Sequence, residues 1–510
     1  MRPNFAWPLL VCAISSSLAD QPEEVDVAII GAGYSGLVAA HELWKSGVSF
    51  RIFEARDRVG GRTLNWLAGN SSDTDDVIEL GGEWLAPQHK HALELVQNLG
   101  FSLFKRPYNT LDNFEHTSPW CSGNCSIRVF SSSRGWQDVA TQSQVFNLLS
   151  QQSQEAVNSA KSALFQAAKE VPCDAPQSHP NASFYDSLSY AAYLSQVLQL
   201  KGEAYNWLAM YADDADSLSQ ISALSVLWTR SCTGGVVGSP REDFWRVRGG
   251  TQGPAQILAK QMQEHLYLRA PVTEVHELSG GKRLILSTRA KVVAKEVLIA
   301  GLSPPLVLGI RFHPPLPADV DQLLQRYPLG TSLKFSLVYS SAWWRSLGFL
   351  GKILILSGGA GASTLYTAEC LDNSPYSWSR GVLMCFIEGD QNRAFMRLTA
   401  TERKTAILDL LGEAFGESHP DEIEDIVEHN WADDEYSRGA YSSYPMTGVL
   451  TSFWQPLSSI YSNQTLGTSG IWVAGADYNS GTQIGYIDGA IESGMNVAER
   501  IVKKFDRVLV

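Results

Sequence analysis

Val25-Asp26-Val27-Ala28-Ile29-Ile30-Gly31-Ala32-Gly33-Tyr34-Ser35-Gly36 begins as a short apolar run rich in β-branched residues and ends on spaced glycines. The run reads as a buried strand. From Ser35 to Lys45 the residues Leu37, Ala40 and Leu43 share one side of an expected helix, and a second strand is expected over Ser49 to Glu54. The glycines therefore stand between a strand and a helix in the order G-x-G-x-x-G, with Glu54 at the end of the second strand. Each has its own physical task. Gly31 makes the tight turn, Gly33 lets the backbone approach a pyrophosphate, and Gly36 lets the helix pack closely on the sheet. The helix N-terminus offers N–H groups and a favourable dipole to phosphate oxygens. Glu54 is placed to accept hydrogen bonds from ribose hydroxyls. The pattern specifies a dinucleotide without saying which one.

Working outward, helical spacing is expected from about Trp136 to Thr229, including an apolar stripe of Leu188, Ala191, Ala192, Leu194, Val197 and Leu198 capped at Asp186 or Ser187. Strand patterns return at Leu266–Leu278 and Leu284–Ala300, a mixed region runs from Pro304 to Glu428, and Gly470 to Lys503 reads as strand, Gly-rich loop and helix. The nucleotide unit is thus expected in three pieces, 20–101, 230–303 and 429–505, with a substrate domain at 102–229 and 304–428. The fold class is α/β: a discontinuous Rossmann-like dinucleotide domain with an inserted mixed α+β substrate domain.

The 510 residues are 44% hydrophobic and 18% charged, enough to build a large core. Acidic residues outnumber basic ones, 53 to 40, which argues against a nucleic-acid partner. At the N-terminus, Arg2, an apolar stretch from Phe5 to Ile14 and Ser17-Leu18-Ala19 read as a signal peptide over residues 1–19, too short to span a membrane. Its removal leaves Cys121, Cys125, Cys173, Cys232, Cys370 and Cys385, an even set that allows three disulfides in open pairing, with Cys121 and Cys125 the favoured pair. Sequons stand at Asn70, Asn124, Asn181 and Asn463, so a secreted, disulfide-bonded glycoprotein is expected. No CxxC pair or histidine cluster is visible along the chain, and no metal site is expected. Nothing in the pattern reports an oligomeric state.

The second strand continues as Glu54-Ala55-Arg56-Asp57-Arg58-Val59-Gly60-Gly61-Arg62-Thr63. Here the chain resembles the flavin-containing amine oxidases, which include monoamine and polyamine oxidases. The resemblance extends to Glu79-Leu80-Gly81-Gly82-Glu83-Trp84, to Ala270-Pro271-Val272, and to Val473-Ala474-Gly475-Ala476-Asp477 followed by Gly485-Tyr486-Ile487-Asp488-Gly489-Ala490. It implies an FAD flavoprotein. Arg62 would stand near the diphosphate and Arg56 beside the adenosine. Gly81 and Gly82 would run beside the flavin. The backbone of Val272 would meet the adenine, Asp477 would hold the ribityl chain, and Ile487 would lie with its backbone against the flavin.

The resemblance also implies the chemistry: an oxidoreductase that oxidises an amine C–N bond with O2 as acceptor, giving an imine or aldehyde and hydrogen peroxide. Lys334, in Thr331-Ser332-Leu333-Lys334-Phe335, matches the family lysine that reaches the flavin through a water. Tyr441 and Tyr486 match the aromatic pair that flanks the substrate amine, and Trp431 a tryptophan packed near the flavin ring. Ala440 stands where the mitochondrial enzymes carry the cysteine that bonds the flavin, so non-covalent FAD is expected. Glu83 reads as a loop carboxylate that is solvated or faces a substrate ammonium. In the latter place it would disfavour the alternative activities of the fold on amino acids. Desaturation of a secondary metabolite is the other alternative. The partners implied are a small-molecule amine and O2.

Overall fold

The computed structural model describes residues 22–67, 75–105, 125–140, 142–210, 218–232, 244–356, 367, 369–377, 379–478 and 484–506. The decisive apolar run becomes the strand Glu23–Ile30, in which Val27, Ala28 and Ile29 are fully buried. It is buried on both faces because it lies parallel between Phe50–Phe53 and Lys291–Ala300. Leu266–Tyr267 extends the parallel set on one side and Ile471–Ala474 on the other. The helices Tyr34–Lys45 and Ile487–Asp506 pack together against this sheet. Their approach is close: a Cβ on Gly494 would lie 2.4 Å from the carbonyl oxygen of Ser35. The strand Glu23–Ile30 has its sequence successor on one side and a distant strand on the other. Its carboxyl end is therefore a topological switch point, where open α/β sheets bind ligands.

The first half of Lys291–Ala300 pairs instead with Arg283–Ser287, which pairs with Val272–Glu277, and the short strand Arg311–His313 closes that edge in parallel. Three residues carry no readable period, so this last strand escapes a pattern reading.

Among the described residues a second sheet has seven strands in the order Ile423–Asn430, Ser332–Tyr339, Gly381–Glu388, Glu369–Asp372, Phe349–Ile355, Ser126–Ser131 and Gly135–Val139. Ser332–Tyr339 is buried throughout. Alternation then decides what each residue meets. Leu333, Phe335, Leu337 and Tyr339 enter a cluster with Ile407, Leu410 and Leu411 of the helix Ala400–Phe415. Val338, of opposite parity, packs with Ile78 and Leu80, just before Gly81. Lys334 shares that second parity and so faces the Gly81–Gly82 segment.

Helices Gln151–Glu170, Gly202–Met210 and Ala223–Cys232 build most of the remaining layer. Disulfides join Cys173 to Cys232, and Cys370 to Cys385 directly across paired strands. Cys125 is also disulfide-bonded, while Cys121 lies outside the described residues. Two local expectations change. Gly135–Val139 is a strand, formed because Gly135 at φ 68° lets the chain turn back onto Ser126–Ser131. The apolar stripe is broken at Leu188, and the cap is Ser189, whose side chain accepts from the Ala192 N–H. Asp186 is instead buried, accepting from the Ser222 hydroxyl and from Thr451. Among the described residues no helix is long and apolar enough to cross a membrane.

Candidate functional site

The glycines at the switch point fall into two physical classes. A Cβ on Gly31 would lie 2.1 Å from the Ala300 carbonyl oxygen, on Gly36 2.1 Å from the Gly31 oxygen, and on Gly81 2.0 Å from the Arg62 oxygen. The packing of the protein itself forbids a side chain there. Gly33 differs. Its φ of −75° is ordinary, and the nearest atom to an added Cβ is the Gly61 Cα at 3.9 Å. Gly82 is similar, with only the Ile487 side chain in ordinary contact at 3.5 Å. The protein would tolerate a side chain at both places, so the space they keep serves something else. Gly33 is also the cap of the helix Tyr34–Lys45. No side chain caps that helix, and its first turn holds no acid. A backbone cradle at an uncapped helix N-terminus fits a pyrophosphate.

Glu54 is buried at the end of its strand. One carboxylate oxygen accepts from the Ala32 N–H at 2.8 Å and the other from the Arg56 N–H at 2.9 Å. It thus braces the glycine turn, and each oxygen keeps a further lone pair for a ribose hydroxyl. Arg56 pairs with Asp434 and donates to the Ser437 hydroxyl at 2.7 Å. With Arg58, Arg269, His429 and Tyr436 it lines an open cavity of about 370 Å³. Arg269 and Ala270 donate their N–H groups to the carbonyls of Arg56 and Glu54, both at 2.8 Å, which brings the start of the Val272 strand beside Glu54.

Arg62 reaches across the molecule. It forms an ion pair with Asp477 at 2.5 Å and donates to the Tyr441 carbonyl at 2.7 Å. Asp477 is fully buried and also accepts from the Ser443 N–H and hydroxyl, at 2.7 and 2.8 Å. The expected diphosphate and ribityl residues are therefore bound to each other, and they tie the loop of Tyr441 to the loop before the last helix. Those loops touch again where a Cβ on Gly485 would meet Ser442 at 2.9 Å. Tyr441 and Tyr486 thereby stand on adjoining loops, with 39% and 44% of their surfaces exposed. Ile487 begins the last helix against Gly82. Residues 479–483 lie outside the described set.

Lys334 is buried in a strand paired on both sides, neither at an edge nor snorkelling to water. Its ammonium donates to the Gly81 carbonyl at 2.8 Å, to the Glu79 carbonyl at 3.2 Å, and to the Glu83 carboxylate at 2.8 Å. Trp84 and Phe386 present their rings at 5.5 and 5.4 Å. Trp431 is buried beside it and donates its indole N–H to the Leu80 carbonyl at 2.8 Å. Lysine and tryptophan thus hold the Leu80-Gly81-Gly82 segment from one side.

Glu83 requires a correction. It is not a solvated loop acid; it is 2% exposed and accepts from Lys334 and from Asn373 at 3.0 Å. Arg246 lies 3.7 Å away and bonds Glu79 at 3.1 Å. Burial pushes the Glu83 carboxyl up, but the charges of Lys334 and Arg246 outweigh it and hold the pKa below the usual value. For Glu79 burial wins over Arg246, and Glu83 adds repulsion, so its pKa is raised. The Glu83 charge is thus neutralised internally, and it says nothing about the charge of a substrate. Arg246 and Asn373 were not legible in the sequence. They come from separate segments, and neither stands in a motif.

Comparison with known proteins agrees with this geometry. Residues 34–502 match the model of the flavin containing amine oxidoreductase family. Amine oxidase [flavin-containing] B of Bos taurus is 26% identical over 498 residues, covering 95% of this chain and 87% of that protein. A probable flavin-containing monoamine oxidase A of Dictyostelium discoideum is 26% identical, covering 94% and 98%. The structure of a putrescine oxidase bound to putrescine superposes with a TM-score of 0.79 at 26% identity, covering 94% of this chain and 99% of that one. With the family model spanning nearly the whole described structure, and a glycine cradle that fits its cofactor, the chain belongs to the flavin-containing amine oxidoreductases and is an FAD enzyme.

Proposed function

We propose that this protein is an oxidase of primary or secondary amines with O2 as electron acceptor. The observation that carries the reading is Lys334, a buried cation bonded to the Gly81 carbonyl, beside a Gly82 that meets the Ile487 side chain and keeps open space. In the net reaction the amine loses two electrons and two protons to become an imine, and O2 takes up both to become hydrogen peroxide; water then hydrolyses the imine. FAD supplies the two-electron chemistry that links these halves. The chain supplies place and charge. Arg62, Asp477 and Ser443 fix the Tyr441 loop, so the two tyrosine rings can hold an amine by their π faces and exclude water. Lys334, its three donors committed to Glu79, Gly81 and Glu83, would supply positive charge to the negative charge that develops on oxygen. Peroxide release should be measured with a panel of aliphatic amines, arylalkylamines, polyamines and amino acids. Turnover confined to amino acids, or absent throughout, would reject the proposal. The amino acids belong in the panel because Glu83 does not repel a carboxylate.

Ala440 is buried and its methyl group offers no sulfur, which supports non-covalent FAD. Acid precipitation should leave yellow flavin in the supernatant. Flavin retained in the pellet would contradict this.

Entry into the secretory pathway, with loss of residues 1–19, is part of the proposal. The disulfides and the exposed sequon residues Asn181 and Asn463 support it. Asn70 and Asn124 lie outside the described residues. Expression of the full chain in a eukaryotic host should give a processed glycoprotein whose mass falls on deglycosylation. An unprocessed, unglycosylated cytosolic product would count against the route.

A further inference from the structure

Glu274 and His276 lie two residues apart on the strand Val272–Glu277, and so on one face of it. The parallel register with the edge strand sets Arg311 opposite Glu274 and His313 opposite His276. The alternate residues Val275 and Phe312 turn inward to the core, so the three donors point outward together. The two imidazoles stack with centroids 4.2 Å apart. One oxygen of Glu274 lies 2.7 Å from His276 Nε2 and 3.7 Å from His313 Nε2. All three ligand atoms fall within 4.8 Å of one another. No linear spacing announces this group, because strand pairing alone brings His313 beside Glu274 and His276.

We propose that Glu274, His276 and His313 form a surface site for one zinc-type divalent ion. Tetrahedral zinc with nitrogen and oxygen donors at about 2.0–2.1 Å needs donor atoms about 3.3 Å apart. The two observed distances to the carboxylate bracket that value, and completing the set requires the two imidazoles to tilt out of their stack so that both nitrogens face one ion. Two imidazoles and one carboxylate select a borderline ion such as Zn2+ over Ca2+ or Mg2+, which take oxygen donors. Water would fill the open position. Arg311 binds the other oxygen of Glu274 and leaves the first to the metal. Its guanidinium also opposes a cation. With 69% of its side chain exposed, it is free to move outward. The ion would clip the short edge strand to its neighbour, and binding to the folded state alone would raise stability.

The test is calorimetric titration of Zn2+ into chelator-treated, tag-free holoenzyme, with Mg2+ as control. One Zn2+ per chain is expected. Affinity should fall at least tenfold in His276→Ala and in His313→Ala, and rise in Arg311→Gln. The melting temperature should increase with Zn2+ in the unaltered protein and not in the His276→Ala/His313→Ala pair. An unchanged flavin spectrum certifies that each variant is folded. Absence of a saturable Zn2+ site, or equal binding by the double variant, would overturn the proposal.

Discussion

Lys334→Met is expected to slow reaction of the reduced enzyme with oxygen by about 10²–10³-fold, the usual cost of removing one preorganised group that meets developing charge. FAD content should change little, because Lys334 bonds the Gly81 and Glu79 carbonyls and Glu83, not the phosphate cradle. The same change leaves Glu83 buried with Arg246 as its remaining cation and Asn373 as its donor, and breaking a buried pair costs about 3–5 kcal/mol. A structural role and a chemical one therefore need separating. Glu83→Gln combined with Lys334→Met removes the stranded charge and should recover much of that stability. Stopped-flow reoxidation should remain slow in the double variant. If reoxidation recovers together with stability, Lys334 is a structural residue and its chemical role is withdrawn.

Gly33→Val should yield a folded protein that holds FAD more weakly. The residue has ordinary φ, and among the described residues its added Cβ would meet nothing nearer than 3.9 Å. A side chain there would occupy the space left for the pyrophosphate. Overpacking of this kind costs about 1–3 kcal/mol, roughly a five- to 150-fold loss of affinity. Gly31→Val is the contrasting case, since φ is 108° and the Ala300 oxygen blocks the side chain. That variant should fail to fold. Flavin absorbance per protein, read beside circular dichroism, separates the two outcomes. An FAD dissociation constant in Gly33→Val equal to that of the unaltered protein would place the cofactor elsewhere.

The strand, glycine turn and first helix were legible because their signals are local. Apolar runs, spacing and the need for positive φ at Gly31 all act within a dozen residues. The parallel set around them followed from the same run being buried on both faces. Lys334 was legible through its match to the family lysine, but its partners were not. Glu83 was misjudged because its burial depends on Arg246 and Asn373, which approach from separate segments. The Arg62–Asp477 pair joins residues 415 positions apart. Each residue was identified through its motif, while their mutual bond needed the fold. The helical stripe after Asp186 failed for a different reason. Asp186 found stronger partners in Ser222 and Thr451 than in the helix that follows it.

Anaerobic mixing of the holoenzyme with amines, followed by admission of air, tests the central claim most directly. At least one amine of the panel should bleach the flavin absorbance without oxygen. Air should then restore the colour, with one peroxide formed per flavin. Flavin that stays oxidised with every amine, or that bleaches but does not yield peroxide in air, would contradict an amine oxidase.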